Sequence, residues 1–329
     1  MEKFIFLAAL FLISTESNLS IANDCISIQH ENNPHWMTVY IQSSGSYCLN
    51  FDLVQQQVFD IHSMNYRRPS EALLEISDSK PSSHKLSNKA IFSDNPMEEN
   101  IFDIDMKNHI LKSDIEDSTG LRSLGGIRHV FVRNGSIIVP GAKEATAVSL
   151  ENGDGEIRVT SLPSYANIRR VGYPDYEDLP ASETLDKKAP TYQATNNLVD
   201  KMAIKAGWRG VIMGGAGNII RNSTIDVDGH TAIYMYGPGS IIENNTIIIH
   251  GQGEAKAYDA AIKLRDADGA VVRNNKIIYK GFWFGKAPAA INLLDSSDVN
   301  ISENIVENFK QLVRSNGESH FTESGNVIK

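Results

Sequence analysis

Residues 218–229 read N-I-I-R-N-S-T-I-D-V-D-G and residues 240–251 read S-I-I-E-N-N-T-I-I-I-H-G. The same twelve-residue unit returns as A-V-V-R-N-N-K-I-I-Y-K-G at 270–281 and, shortened, as V-N-I-S-E-N-I-V-E-N-F at 299–309; far upstream, V-F-V-R-N-G-S-I-I-V-P-G occupies 130–141. Self-similarity at such short periods limits the architectures a chain can adopt more than any single motif does. Each unit is followed by a second apolar element: Ala232-Ile-Tyr-Met235, Ala261-Ile-Lys-Leu264, Ala290-Ile-Asn-Leu293 and, upstream, Ala147-Val-Ser-Leu150. These runs of three to five residues, broken by Asn and Gly, are too short for helices.

Strands this short cannot double back as a meander at the observed spacing. They can instead wind one flat coil and stack the next coil about 4.8 Å above it. The expected fold class is therefore all-β, a right-handed parallel β-helix, with Ile220, Ile242 and Val272 in one interior column and Ile225, Ile247 and Ile277 in another. Asn222, Asn244 and Asn274 then fall at one corner, where asparagine tolerates the left-handed conformation and its amide can bond the next coil, a structural ladder. Arg221, Glu243 and Arg273 stack outside as plus, minus, plus, which avoids like charges on adjacent strands.

The units Val-Arg-Asn-Gly-Ser-Ile (132–137) and Ile-Ile-Glu-Asn-Asn-Thr-Ile (241–247) resemble the right-handed β-helix repeats of the pectin-lyase-like superfamily, which holds polysaccharide lyases, glycoside hydrolases, epimerases and non-enzymatic repeat proteins. The likeness runs from about residue 125 to 329, with a break at 151–207. It implies a fold and no particular activity. The Arg-x-Pro-x-x-Arg segment and calcium-binding aspartates of pectate lyases do not occur. Of the polygalacturonase signatures only Asp228-Gly-His230-Thr is reminiscent.

The repeats assign residues 125–329 to the solenoid, with an excursion at about 160–206 containing a short helix at 197–206 closed by Gly207. Residues 23–124 are expected to form an N-terminal cap and irregular first coils: strands within 36–62 cap the apolar end, 67–100 is a surface excursion, and 101–124 an irregular first coil. Residues 1–22 read as a cleavable signal peptide, with an apolar run at 4–14 behind Lys3 and Ser20-Ile21-Ala22 at the cleavage site. The expected location is periplasmic or secreted. In such a compartment Cys25 and Cys48, the only cysteines, pair as a disulfide closing the N-terminal segment.

With 41% hydrophobic and 22% charged residues the composition is ordinary for a globular protein, and the net charge is −9, most of it before residue 208. A broad nucleic-acid-binding face is excluded by that balance, and the leader is too short to be a membrane span. A monomer with no cofactor is expected. No metal motif is visible, and calcium lacks supporting residues.

Strand alternation places the eleventh residue of each unit outward, so Asp228, His250 and Lys280 form a vertical file of acid, imidazole and amine, the expected catalytic group. Asp226 and Asp228, both outward on one strand, form a second carboxylate pairing. Between each closing Gly and the next Ala-Ile strand the coils insert loops, which carry Tyr258 and Trp283; exposed rings suit the apolar faces of sugars. On the following strand Tyr234, Lys263 and Asn292 face outward, with Tyr236 and Arg265 two residues on. The resemblance implies that Lys263 and Arg265 there neutralise uronate groups of a polysaccharide. Two functions fit: a carbohydrate-active protein binding and cleaving polysaccharide by lyase or hydrolase chemistry, or a non-catalytic β-helix scaffold presenting a partner surface.

Overall fold

The structure, a computed structural model, describes residues 25–28, 38–56, 59–60, 65–66, 72–77, 101–116, 118–123, 127–141, 145–150, 194–253, 258–281 and 287–329. Its strands pair in parallel from coil to coil, in one 17-stranded and one 9-stranded sheet, here called sheets A and B. The antiparallel exception is a ribbon of β5 (Phe59–Asp60) and β6 (Asn65–Tyr66). This is a right-handed parallel β-helix.

The stacking begins with β1 (Ile26–Ile28) and β2 (Val39–Ile41). The next coil holds β3 (Gly45–Leu49), β4 (Leu53–Gln55) and β7 (Ala72–Ile76), followed by β8 (Phe102–Asp105), β9 (Ile110–Ser113) and β10 (Thr119–Ser123). In the next two coils one long strand, β11 (Val130–Val139) or β13 (Leu198–Ala206), runs through the corner before β12 (Thr146–Leu150) or β14 (Arg209–Gly214). Three strands per coil then return: β15 (Ile219–Arg221), β16 (Thr224–Val227) and β17 (Ile233–Tyr236); β18 (Ile241–Glu243), β19 (Thr246–Ile249) and β20 (Ile262–Arg265). They are followed by β21 (Val271–Arg273), β22 (Lys276–Tyr279) and β23 (Ala287–Leu294), then β24 (Val299–Ser302), β25 (Ile305–Glu307) and β26 (Phe309–Asn316), and finally β27 (Phe321–Ser324) and β28 (Val327–Ile328). Sheet B collects the third strand of each coil, β2, β7, β10, β12, β14, β17, β20, β23 and β26.

The expected interior columns are present and longer than the repeats showed. Val132, Val199, Ile220, Ile242, Val272 and Ile301 are in register, as are Leu53, Leu111, Ile137, Ile204, Ile225, Ile247, Ile277 and Val306. All are buried, and each large aliphatic side chain so placed contributes about 1.5–3 kcal/mol. Because every coil repeats the column of the one below, the core is a line of nearest-neighbour contacts rather than a single knot.

The N-terminal expectation needs correction. The strands within 36–62 are rungs of the same solenoid rather than a separate cap, since β3 pairs with both β1 and β8. Residues 101–124 supply the regular strands β8–β10, and β7, inside the stretch read as a surface excursion, is buried throughout. The helix expected at 197–206 is β13. Its alternation decides this: Val199, Met202, Ile204 and Ala206 are buried while Lys201, Ala203 and Lys205 are exposed, and two neighbouring strands outweigh the helical propensity of Ala, Lys and Met. The leader, residues 1–22, and most of the excursion at 160–193 lie outside the described residues.

The asparagine corner divides its work between adjacent residues. Asn222, Asn244 and Asn274 take positive φ of 52°, 56° and 54°, as expected. The same conformation is held in other coils by Asn134, Lys201 and Glu303. Asn222 does reach the neighbouring coil, its Nδ2 donating to Asp200 Oδ1 at 2.8 Å, but Asn244 and Asn274 are exposed and the continuous inter-coil ladder is made by the residue after them. Asn275 Nδ2 donates to Asn304 Oδ1 (3.0 Å) and to the Ile242 carbonyl (2.9 Å), while Asn275 Oδ1 accepts from the backbone and side-chain nitrogens of Asn245, both at 3.0 Å. Asn304 repeats the pattern with Asn326. The correction has a simple cause: the left-handed residue turns its side chain out of the coil, and the next one points in.

Outside that corner the charged column is longer than expected. Asp105, Arg133, Asp200, Arg221, Glu243 and Arg273 share one register and alternate in sign. Arg273 Nη2 lies 2.6 Å from Glu243 Oε2 and Arg221 Nε 3.3 Å from Asp200 Oδ1. Hydrogen bonding to Asp103, at 2.9 Å through both Nε and Nη2, raises the Arg133 pKa above its ordinary value.

Cys25 and Cys48 form the expected disulfide, with Cα atoms 5.6 Å apart. Since Cys48 lies in β3 and Cys25 immediately precedes β1, the bond ties the first rung to the second.

Candidate functional site

The file Asp228, His250, Lys280 exists as a column at the ends of β16, β19 and β22. The Asp228 nitrogen donates to the Ala206 carbonyl, the His250 nitrogen to that of Val227 and the Lys280 nitrogen to that of Ile249, at 2.8–3.0 Å. The imidazole, however, turns to the diagonal neighbour: His250 Nε2 lies 2.8 Å from Asp226 Oδ1. Asp226 is in register with Ile248, two residues before His250, and a diagonal of this kind is within reach of a long side chain. Both partners are about one-third exposed, and Lys280 is exposed. The corner thus presents a carboxylate–imidazole pair to solvent, flanked by a second acid and an amine.

Glycines keep this corner tight. Gly251 follows His250 at φ 66°, and a Cβ there would stand 2.7 Å from the Tyr279 ring. Only glycine satisfies both the left-handed backbone and the ring of the next coil. His230 Nε2 lies 3.2 Å from the Gly253 carbonyl oxygen.

The second group of expected residues behaves differently. Tyr234, Lys263 and Asn292 are in one column and Tyr236 and Arg265 in the adjacent one, all on the outward side of sheet B. Every one of them is 0% exposed. Ile212, Tyr234 and Tyr236 form an apolar cluster separate from the main core. Lys263 Nζ sits 5.6 Å from the Tyr234 ring centroid, and Arg209, also buried, stacks 3.9 Å from the Trp208 ring. The expectation of an open uronate-binding row on these strands is therefore corrected: the residues point outward but are enclosed.

Of the loop residues, Tyr258 is half-buried with its ring 6.0 Å from the Arg314 guanidinium, and Trp283 lies outside the described residues. Thr231 Oγ1 donates to Asp259 Oδ1 at 3.1 Å, and Arg314 Nη2 donates to the Asp259 carbonyl at 3.2 Å. The described end of this loop is thereby fastened to sheet B rather than folded over the Asp228 file. A recess of about 300 Å³ at the asparagine corner, lined by Asn108, Ser136, Lys201, Asn222 and Thr224 among others, takes in none of the expected catalytic or substrate-binding residues.

Sequence reasoning did not single out Arg209 or Arg314. Arg314 was detectable: Leu312-Val-Arg314 continues the second repeat element, one coil beyond Ala290-Ile-Asn-Leu293. Among the described residues no group of three or more His, Cys, Asp or Glu is placed to hold a metal ion, and no helix is long and apolar enough to cross a membrane.

Fold and columns together define a right-handed parallel β-helix repeat protein. The family described as "right handed beta helix region" matches residues 189–329, the part that contains the Asn245–Asn275–Asn304–Asn326 ladder. No curated protein and no solved structure matched the chain.

Proposed function

We propose that this β-helix is an exported carbohydrate-active protein that engages an extracellular or cell-envelope polysaccharide along the corner bearing Asp226, Asp228, His250 and Lys280, and cleaves it there. The observation that carries the reading is the 2.8 Å contact between the partly exposed His250 and Asp226, beside an amine in the same column. Histidine is the side chain that most often moves a proton at neutral pH, and here a carboxylate holds it. In a lyase reaction His250 would take the proton next to a uronate carboxyl group while Lys280 neutralises the carboxylate. The electron pair left behind forms the ring double bond as the glycosidic C–O bond breaks, and the leaving oxygen takes a proton from the His250 imidazolium or from water. Asp226 would orient the imidazole, and Asp228 would bind sugar hydroxyls.

The test is incubation with a panel of uronic-acid polymers, following unsaturated and reducing ends. Unsaturated ends support the lyase form and reducing ends alone a hydrolase. His250→Ala should lower the rate by about 10²-fold or more, and Asp226→Asn by less. No product across the panel removes cleavage, and no binding to any of the polymers removes the reading altogether. The enclosure of Tyr234, Tyr236, Lys263 and Arg265 favours a second reading, a non-catalytic scaffold. It predicts a protein whose His250→Ala variant is indistinguishable from wild type in every glycan assay.

A further inference from the structure

Two residues before most charges of the sheet A column stands an apolar side chain facing the same way. Phe131, Leu198, Ile219, Ile241 and Val271 are in register. Each is partly exposed, whereas the residue between it and the charge, from Val132 to Val272, is buried. Neighbouring coils lie about 4.8 Å apart, so the face carries two parallel tracks, one apolar and one ionic. A contiguous apolar row with polar groups at its rim marks a contact surface, and the coils themselves do not need it, because their core is filled by the inward columns.

The ionic track is uneven as well as alternating. The side chains of Arg133, Arg221 and Arg273 are 33–51% exposed, those of Asp105, Asp200 and Glu243 only 11–24%. Each arginine therefore stands out from the face, and each acid is set back. In order along the stack, from Asp105 to Arg273, the signs are minus, plus, minus, plus, minus, plus. An even alternating run turned end for end presents plus wherever it presented minus, so the track is complementary to its own reverse.

One two-fold axis uses that property. An axis along the strands, between the coils of Asp200 and Arg221, reverses the order of the coils and keeps each track on itself, as an isologous contact requires. It sets Asp200 opposite the partner's Arg221, Arg133 opposite the partner's Glu243 and Asp105 opposite the partner's Arg273. On the apolar track Leu198 meets the partner's Ile219 and Phe131 the partner's Ile241. A slip of one coil would oppose like charges along the whole track. An axis parallel to the solenoid would lay the charges on the aliphatic row or each charge on its own copy. Sheets pack about 10 Å apart face to face, a gap that an arginine from one side and an acid from the other can close.

We propose that this face of sheet A is the contact surface of a homodimer in which two solenoids pack antiparallel, the arginines of each copy entering between those of the other. The dimer stands in place of the expected monomer. The Asp226–His250 pair lies beyond the asparagine corner, on β16 and at the end of β19, and is not covered by the contact, so the dimer forms whether or not that pair cleaves anything.

The experiment is sedimentation equilibrium of the protein over a concentration series, at low and high salt. Wild type should show a monomer–dimer equilibrium that weakens as salt rises. Arg273→Glu opposes the partner's Asp105 twice per dimer and should weaken association about tenfold or more, as should Asp105→Arg. An equimolar mixture of these two variants restores opposite signs at both contacts and should associate more tightly than either alone. Ile219→Ser leaves every charge in place and should weaken association about tenfold, which keeps the test open if a reversed charge disturbs its own column; Tm shows which variants are folded. Wild type that stays monomeric at every concentration would overturn the proposal. So would a dimer that folded Ile219→Ser and Arg273→Glu leave intact, or a mixture that associates no better than its components.

Discussion

The outward sides of the two sheets obey the same pleat and meet opposite fates. On sheet A the column Asp105, Arg133, Asp200, Arg221, Glu243, Arg273 is satisfied by its own neighbours, each charge facing the opposite sign one coil away, and it remains open to solvent at its Arg273 end. On sheet B the stretch Ile212, Tyr234, Lys263, Asn292 of the equivalent column is buried, between Ser149 on one side and Arg314 on the other, both partly exposed. Alternation along a strand therefore determines direction and leaves exposure undetermined. A lysine on one face is decoration; on the other it is part of a second, polar interior.

If that contrast is right, the two lysines differ most. Lys263→Ala empties an enclosed site and strands the groups around it, and should cost about 3–5 kcal/mol, measured as a lowered urea midpoint. Next in size is the ladder: Asn275→Ala removes four hydrogen bonds between buried groups and should cost about 3 kcal/mol. The adjacent Asn274→Ala should cost only about 1 kcal/mol, the penalty of placing an ordinary residue at positive φ. Equal losses at 274 and 275 would refute the division of labour at the corner. Smallest are the sheet A charges. Lys276 pairs with Glu307 at 3.4 Å while half-exposed, and Lys276→Ala or Glu243→Gln should each change stability by less than about 1 kcal/mol, shrinking further in high salt. A Lys276→Ala loss as large as that of Lys263→Ala would erase the distinction between the faces.

The same contrast explains what could be read from the sequence. The winding, the interior isoleucine columns and the alternating charges follow from position within a repeated unit, and position is what a repeat displays. The ladder was also legible, one residue along: the 299–309 unit has Glu303 where the others have their first asparagine, yet keeps Asn304 at the second. The inward position is itself not always asparagine, being Gly135 and Ser223 in the 130–141 and 218–229 units. The coils before residue 125 escaped because their strands do not repeat the apolar-apolar-x-Asn unit found at 130–141, 218–229, 240–251 and 270–281, so that β8–β10 carry the architecture without its signature. At 197–206 the composition favoured a helix, and the alternation from Val199 to Ala206 together with the partner strands on either side decides otherwise. Enclosure of the sheet B face was beyond reach, since it depends on what packs against the strands rather than on the strands themselves. For the same reason the His250 partner was misread: the vertical neighbour is a matter of register, but the choice of the diagonal Asp226 is a matter of side-chain rotation.

The alternating column also sets a rule for lengthening this molecule. A duplicated coil bearing Arg221 would lay arginine on arginine, whereas duplicating it together with its Glu243 neighbour would keep opposite signs throughout. The asparagine stack imposes no such parity, as each member both gives and receives. Extended versions of the protein should therefore tolerate additions of two coils more readily than of one, with a difference of several tenths of a kcal/mol that vanishes once Arg221 and its copy are both made neutral.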